Sequence, residues 1–276
     1  MTGPDFDHFC RLIAQRSGLV LGPDKAYLVN SRLEPIAKAA GLAGVPAVLA
    51  ALRTAPTTSL IQACVDAMAT HESLFFRDSS PFEQLAATVL PRLADSRPAG
   101  QPIRIWCAAC SSGQEPYSIA MLVQEQAHRL GGRRVEIIGT DMVEAILTKA
   151  RAGLYSGFEI QRGISPERRT RFFTPRGDLW EVQPQVRGMV TFRAHNLLDG
   201  AKGMGPFDIV FCRNVLIYFD QAGKAQVLNQ IAAAMSPDAA LFLGSAESVL
   251  GLTDALVLEP GSRGLYRPKS RTAAAA

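Results

Sequence analysis

Apolar positions in residues 1–72 recur at three- and four-residue steps: Phe6, Phe9, Leu12 and Ile13, then Tyr27, Leu28, Leu33 and Ile36, then Val48, Leu49 and Leu52. That period puts them on one side of successive helices. Breaks fall at residues 18–23, 41–46 and 54–58, where Gly, Pro and Thr cluster. Residues 1–72 therefore read as a small all-helical domain, and 73–276 as a second one with a different pattern. After a linking helix over 81–94, Ile103, Ile105 and Trp106 form a short apolar run that reads as a buried strand. Ala108, Ala109, Ser111, Ser112 and Gly113 then permit a tight turn. Ile119, Leu122, Val123 and Leu130 return to helical spacing, with Pro116 expected at the first helical position, where its missing amide hydrogen costs nothing.

Further apolar strands are expected at 135–139 and 207–212, with helices over 143–152, 165–173 and 222–235. Alternating and β-branched residues in 179–192 predict a small antiparallel excursion, a β-subdomain of about 172–192. Short strands at 241–243, 257–258 and 265–266 close the pattern, and residues 268–276 are expected to be disordered. Repeated βα units imply parallel strands with helical crossovers, so a ligand belongs at the carboxyl ends of the strands. Glu115, Asp141, Asn196 and Asn214 all stand just after predicted strands.

The turn after the first of these strands is chemically informative. A helix N-terminus offers free amide hydrogens, and small residues let a ligand approach the backbone. Yet the turn is neither GxGxxG nor GxxxxGK[ST], and it carries an acid, Glu115. A carboxylate there repels phosphate but suits a cationic amine or ribose hydroxyls, as in S-adenosylmethionine (SAM); an ordinary βα turn without a ligand has the same outline. Asp141 lies 28 residues beyond Gly113, where an acid can accept from both hydroxyls of a ribose, although the usual spacing is about 20 residues. As an alternative, Asp141 caps the next helix.

Composition narrows the classes. Of 276 residues, 47% are hydrophobic and 20% charged, which is ordinary for a soluble globular protein. The net charge of +4, without long Lys/Arg runs, does not suggest a nucleic-acid partner. No secretory signal pattern or membrane-length apolar run is evident, so a cytoplasmic protein is expected. The five cysteines are scattered, and Cys107 and Cys110 form a lone CxxC with no second pair; buried packing residues, not a metal site, are expected there. Lys25, Arg32, Lys38 and Arg53 in the helical region could dock an acidic partner or simply form a solvated face. His71 to Asp78, HESLFFRD, read alone as a core edge with a salt bridge.

Taken together, HESLFFRD (71–78), IWCAACSSGQEPYSIA (105–120), GTDMVEAILTKARAGLY (139–155), HNLLD (195–199), FDIVFCRNVLIYFD (207–220) and LFLGSAES (241–248) resemble the CheR-type chemotaxis methyltransferases. The resemblance spans nearly the whole chain. It implies an all-helical N-terminal domain and a Rossmann-like class I SAM-dependent methyltransferase domain of α/β class carrying a small antiparallel β-subdomain. The implied activity is methyl transfer from SAM to glutamate side chains of chemoreceptors. Carried over by position, it implies SAM contacts at His71, Ser73, Arg77, Glu115, Asp141, Asn196, Leu197, Arg213 and Asn214, with Arg77 and Tyr218 as catalytic residues. His71 stands where the family commonly has Asn, and Ser73 where it often has Thr. The compact 172–192 region implies an enzyme independent of a receptor C-terminal tether peptide, and a monomer is expected. A SAM-binding regulatory module without methyl transfer, a methyltransferase for a small molecule or nucleic acid, and a nicotinamide dehydrogenase are the competing expectations.

Overall fold

The computed structural model describes residues 3–98 and 100–269; the expectation of disorder over 268–276 falls almost entirely on 270–276, outside the described residues. The chain divides into two compact units, Met1–Thr70 with Tyr218–Lys224, and His71–Ile217 with Ala225–Ala276.

The first unit is built from the helices α1 (Pro4–Ser17), α2 (Ala26–Ala39), α3 (Val45–Thr54) and α4 (Thr58–Met68). Its core holds Phe6, Phe9 and Ile13 of α1, Val29, Leu33 and Ala37 of α2, Val48, Leu49 and Leu52 of α3, and Cys64, Val65 and Met68 of α4, with α3 and α4 each packed against both α1 and α2. In α2 the buried stripe is Val29–Leu33–Ala37, and Tyr27 is 70% exposed. The expected stripe shares Leu33 with the observed one but was centred one residue too early, with half-buried Leu28 and Ile36 in the places of Val29 and Ala37. Arg32 does not form a free basic patch: its Nη1 donates to the carbonyls of Ala67, Met68 and Ala69 and its Nη2 to Thr70 Oγ1, satisfying the last carbonyls of α4. Arg53 pairs with Asp5. Tyr218 belongs to this unit, its carbonyl accepting from Val20 N–H at 2.9 Å. Gly18 caps α1 with φ 77°, and a Cβ there would stand 2.1 Å from the Phe219 ring.

The second unit is built on a seven-stranded sheet of order β6-β2-β1-β7-β8-β10-β9. Its strands are β1 (Ile103–Ala108), β2 (Val135–Asp141), β6 (Val190–Ala194), β7 (Phe207–Cys212), β8 (Met235–Leu243), β9 (Leu256–Leu258) and β10 (Leu265–Pro268). The pairs β6–β2, β2–β1, β1–β7 and β7–β8 are parallel, and β10 is antiparallel to both neighbours. Every residue of β7 is buried, as a strand covered on both faces requires. Strand order reverses between β1 and β7, so their carboxyl ends frame the switch-point crevice. Strand β8 begins six residues earlier than expected; its register slips between Phe207 and Ile209, and Pro237 and Asp238 in that irregular stretch hid the strand.

A second sheet of order β3-β5-β4 joins β3 (Leu154–Ser156), β5 (Leu179–Val182) and β4 (Phe173–Arg176), all antiparallel. Its composition differs from the 172–192 excursion: Leu154–Ser156 belongs to it, whereas Val190–Ala194 pairs with β2 in the main sheet. Three residues are too few to show a strand period, and an alternating run does not reveal which sheet takes it. Phe75 packs edge-on against Tyr155 and Phe173, with ring centroids 4.9 and 5.6 Å apart, anchoring this sheet to the 71–78 segment.

The linking helix comprises Ser80–Gln84, a π-turn Leu85–Val89 and Leu90–Ser96. Pro91, which cannot donate, follows that wider turn. Cys107, Cys110 and Cys212 are free and buried, so the CxxC packs the core; no metal-ligand cluster occurs among the described residues. No helix among the described residues is long and apolar enough to cross a membrane.

Candidate functional site

The turn leaving β1 is tighter than small side chains alone would suggest. Ala109, Ser111 and Gly113 all have left-handed backbones, at φ 58°, 52° and 93°. Only glycine fits at 113, because a Cβ would stand 3.0 Å from Ala150 Cβ and 3.2 Å from Phe192 and Tyr155. The helix that follows starts at Gln114, which puts Pro116 at its third position, two residues later than expected. The first turn still has unpaired amides, so proline is tolerated there too.

Asp141, at the end of β2 and 6% exposed, accepts from Ser111 N–H at 3.0 Å through Oδ2 and from Val143 N–H at 3.1 Å through Oδ1. The second bond closes an Asx turn two residues ahead and does not cap the helix Glu144–Ala152, whose N-cap is Val143. One bond per oxygen leaves acceptor capacity on both, as two ribose hydroxyls require. His71 Nε2 lies 3.8 Å from Asp141 Oδ1, buried and without a hydrogen-bond partner. Ser111 Oγ and Arg213 Nε are buried and unpartnered as well. Orphaned polar atoms beside carboxylates are costly unless a polar ligand satisfies them.

Across β1, Glu115 Oε2 accepts from Arg213 Nη1 at 3.0 Å. Arg213, with its side chain 2% exposed, also donates through Nη2 to Arg77 O and Asp78 Oδ2, both at 2.8 Å. One guanidinium thus ties the β1 turn, the β7 exit and the 71–78 segment together. That segment turns through left-handed Phe76 and Asp78, at φ 48° and 59°. Phe76 N–H donates to Ser118 Oγ at 2.9 Å, and Arg168 covers the Phe76 ring at 3.8 Å. Arg77 itself makes one long bond, to Glu72 O at 3.4 Å, which leaves its fork of donors with capacity for a ligand.

Asn196 follows β6, and its Oδ1 accepts from Leu198 N–H at 3.1 Å, ordering the short turn that buries Leu197. Asn214 follows β7 with φ 58°. Thus His71, Ser73, Arg77, Glu115, Asp141, Asn196, Leu197, Arg213 and Asn214 all lie in the second unit, whereas Tyr218 lies in the first. Two residues escaped the sequence reading. Glu247, in the loop after β8, binds the backbone beyond β7, and the missed signal was one more acid just after a strand. His195 has a buried Nε2 without a partner; burial lowers its pKa, and its ring lies edge-on to Trp106. A histidine one residue from Asn196 gave no separate signal.

The donor set fits SAM. Asp141 suits ribose hydroxyls, and the Glu115 carboxylate suits a cationic amine. Burial raises the pKa of Glu115 above its ordinary 4.5, and the attraction of Arg213 only partly offsets this. The folded state therefore takes up a proton before the unfolded chain does, so this group's contribution to stability falls as pH rises through that window. Its competence as an acceptor changes the other way and is lost as pH falls. SAM affinity is expected to weaken on acidification from above pH 4.5, and the Glu115→Gln variant to lose this dependence. Calorimetric Kd values against pH for both proteins test it, and parallel curves would refute it.

Comparison with known proteins agrees. Residues 4–69 match the family described as CheR methyltransferase, all-alpha domain, and residues 71–264 match CheR methyltransferase, SAM binding domain. Chemotaxis protein methyltransferase 1 of Vibrio cholerae is 45% identical over 257 residues, covering 92% of each chain. Chemotaxis protein methyltransferase 1 of Pseudomonas aeruginosa is 43% identical over 270 residues, 96% of this chain and 98% of its own. Chemotaxis protein methyltransferase Cher2 of Pseudomonas putida is 42% identical over 254 residues, covering 91% and 92%. With both family domains matched in order and relatives 45% and 43% identical along nearly the whole chain, this chain belongs to the CheR methyltransferases, SAM-dependent enzymes of chemotaxis.

Proposed function

We propose that this protein esterifies glutamate side chains on the cytoplasmic helical bundle of chemoreceptors, forming glutamate methyl esters in sensory adaptation. The observation that carries the reading is the Arg213 bridge, which joins the carboxylate beside the SAM turn to the segment presenting Arg77. SAM supplies an activated methyl group on a sulfonium; the acceptor carboxylate oxygen forms the new O–C bond and the departing electron pair stays on sulfur. A carboxylate is ionised near neutral pH, so the protein need not supply a general base. Its work is alignment and partial desolvation. Arg77 pairs with the acceptor carboxylate and orients it; its guanidinium stays protonated and cannot act as a base.

We infer a tether-independent, monomeric, cytoplasmic enzyme, and the small sheet supports the first of these. Gln183 N–H donates to Phe172 O, and with Phe173 opposite Val182 this makes Thr174 and Arg176 face β5 while Phe173 and Pro175 face the open edge. Phe173 N–H is already given to Arg169 O, and Pro175 has none. A peptide added as a strand along β4 finds no outward donor on either residue. Acidic receptor surface is left to exposed positions such as Lys38 and Arg171.

The test is transfer of labelled methyl from SAM to receptor cytoplasmic fragments, with and without their C-terminal residues. Base-labile label on glutamates, at equal rates for both fragments, is expected. Label elsewhere, or SAM binding without transfer, overturns the glutamate assignment. A rate that drops on truncation overturns tether independence.

A further inference from the structure

Glu247 is 9% exposed, and both its oxygens are fully engaged by backbone. Oε2 accepts from Asn214 N–H at 2.8 Å and Gly244 N–H at 2.7 Å; Oε1 accepts from Val215 N–H at 2.9 Å and Leu216 N–H at 2.7 Å. Residues 214, 215 and 216 are consecutive, and Asn214 is left-handed. Successive amides converging through such a turn form an anion cradle, of the kind that grips phosphate elsewhere. Here the protein's own carboxylate fills it. Among the described residues these three amides bond to Glu247, which holds the left-handed turn at Asn214 from the loop after β8.

Strand β7 lies on the far side of β1 from β2, so the Arg213–Asn214 corner faces the crevice opposite Asp141. A ligand with its ribose at Asp141 and its adenine toward β6 presents its amino-acid end to that corner. We propose that Glu247 is a positioning residue that fixes Arg213 and Asn214 for the amino-acid end of SAM, and that it closes this turn to phosphate. The inference rests on the reading that Arg213 and Asn214 hold SAM.

Two variants disturb the cradle differently. Glu247→Gln turns one acceptor oxygen into a carboxamide NH2, a donor set against two backbone N–H donors. Gly244→Ala keeps the charge but puts a Cβ 2.7 Å from Glu247 Oε2 and 3.0 Å from Asn214 N, displacing the carboxylate without a left-handed backbone penalty at 244. Full-length variants are titrated with SAM and, separately, with adenosine, which lacks the amino-acid end. The expected result is a SAM Kd raised about tenfold or more, with adenosine affinity within about twofold of wild type. A general folding defect would weaken both ligands or lower the number of binding sites, and either outcome in both variants overturns the proposal. Arg213→Ala separates the levels. If it weakens SAM selectively and neither cradle variant does, the role of Glu247 is wrong; if it too leaves SAM unaffected, the reading of the whole corner fails.

Discussion

Arg213→Ala is expected to destabilise the protein by about 3–5 kcal/mol, because it strands the Glu115 carboxylate in a buried site without its cation. The guanidinium is 2% exposed and makes three charge-assisted or carbonyl bonds, to Glu115, Asp78 and Arg77 O. The share from Asp78 is small, since that side chain is 46% exposed and water replaces the lost partner. Most of the cost is thus an orphaned charge, and this makes the result divisible. In the double variant Arg213→Ala/Glu115→Gln the charge is gone, so denaturant midpoints should recover a substantial part of the loss. If the double variant is as unstable as the sum of its single changes, the pair is not coupled and the bridging role assigned to Arg213 fails.

Arg77→Ala should behave in the opposite way, with little change in stability and a large change in rate. Its side chain is half-buried and held by a single 3.4 Å bond, so removing it leaves no buried group unsatisfied. The acceptor carboxylate, however, loses the group proposed to orient it. Misalignment of this kind costs about 10²-fold in rate, so methyl transfer at saturating SAM should fall by at least that factor while SAM still binds. Arg77→Lys retains charge but not the planar fork, and should recover only a small part of the rate. A variant with wild-type turnover would remove Arg77 from the chemistry.

Much of the fold was legible because buried parallel strands advertise themselves. Phe207–Cys212 is apolar in sequence at every position but Asp208, and it is a fully buried strand in the sheet, with the same ends. The acids after strands could be read likewise, since a carboxylate following an apolar run is unusual in any setting except a cap or a site. What was hidden depends on partners distant in sequence. Arg32 looked like a basic surface residue, and only the arrival of the α4 carbonyls 35 to 37 residues later makes it a cap. Leu154–Ser156 becomes a strand only through pairing with β5. Glu247 was passed over because three of the four amides it serves lie more than 30 residues upstream. Backbone amides carry no sequence signature, so residues that bind them are the least visible part of such a site.

The buried cysteines have a practical consequence. Cys107 and Cys110 border the SAM turn and Cys212 ends β7, all sealed from solvent and with thiol pKa values driven well above the ordinary 9.0 by burial. An alkylating reagent can reach them only when this sheet opens, so their labelling rate is a clock for local opening beside the cofactor turn. Cys10, only partly covered, and Cys64, with a pKa raised to about 11, time the helical unit instead. The chain therefore carries its own set of chemical reporters, and mass-resolved labelling with and without SAM would read the breathing of each unit separately without adding a probe.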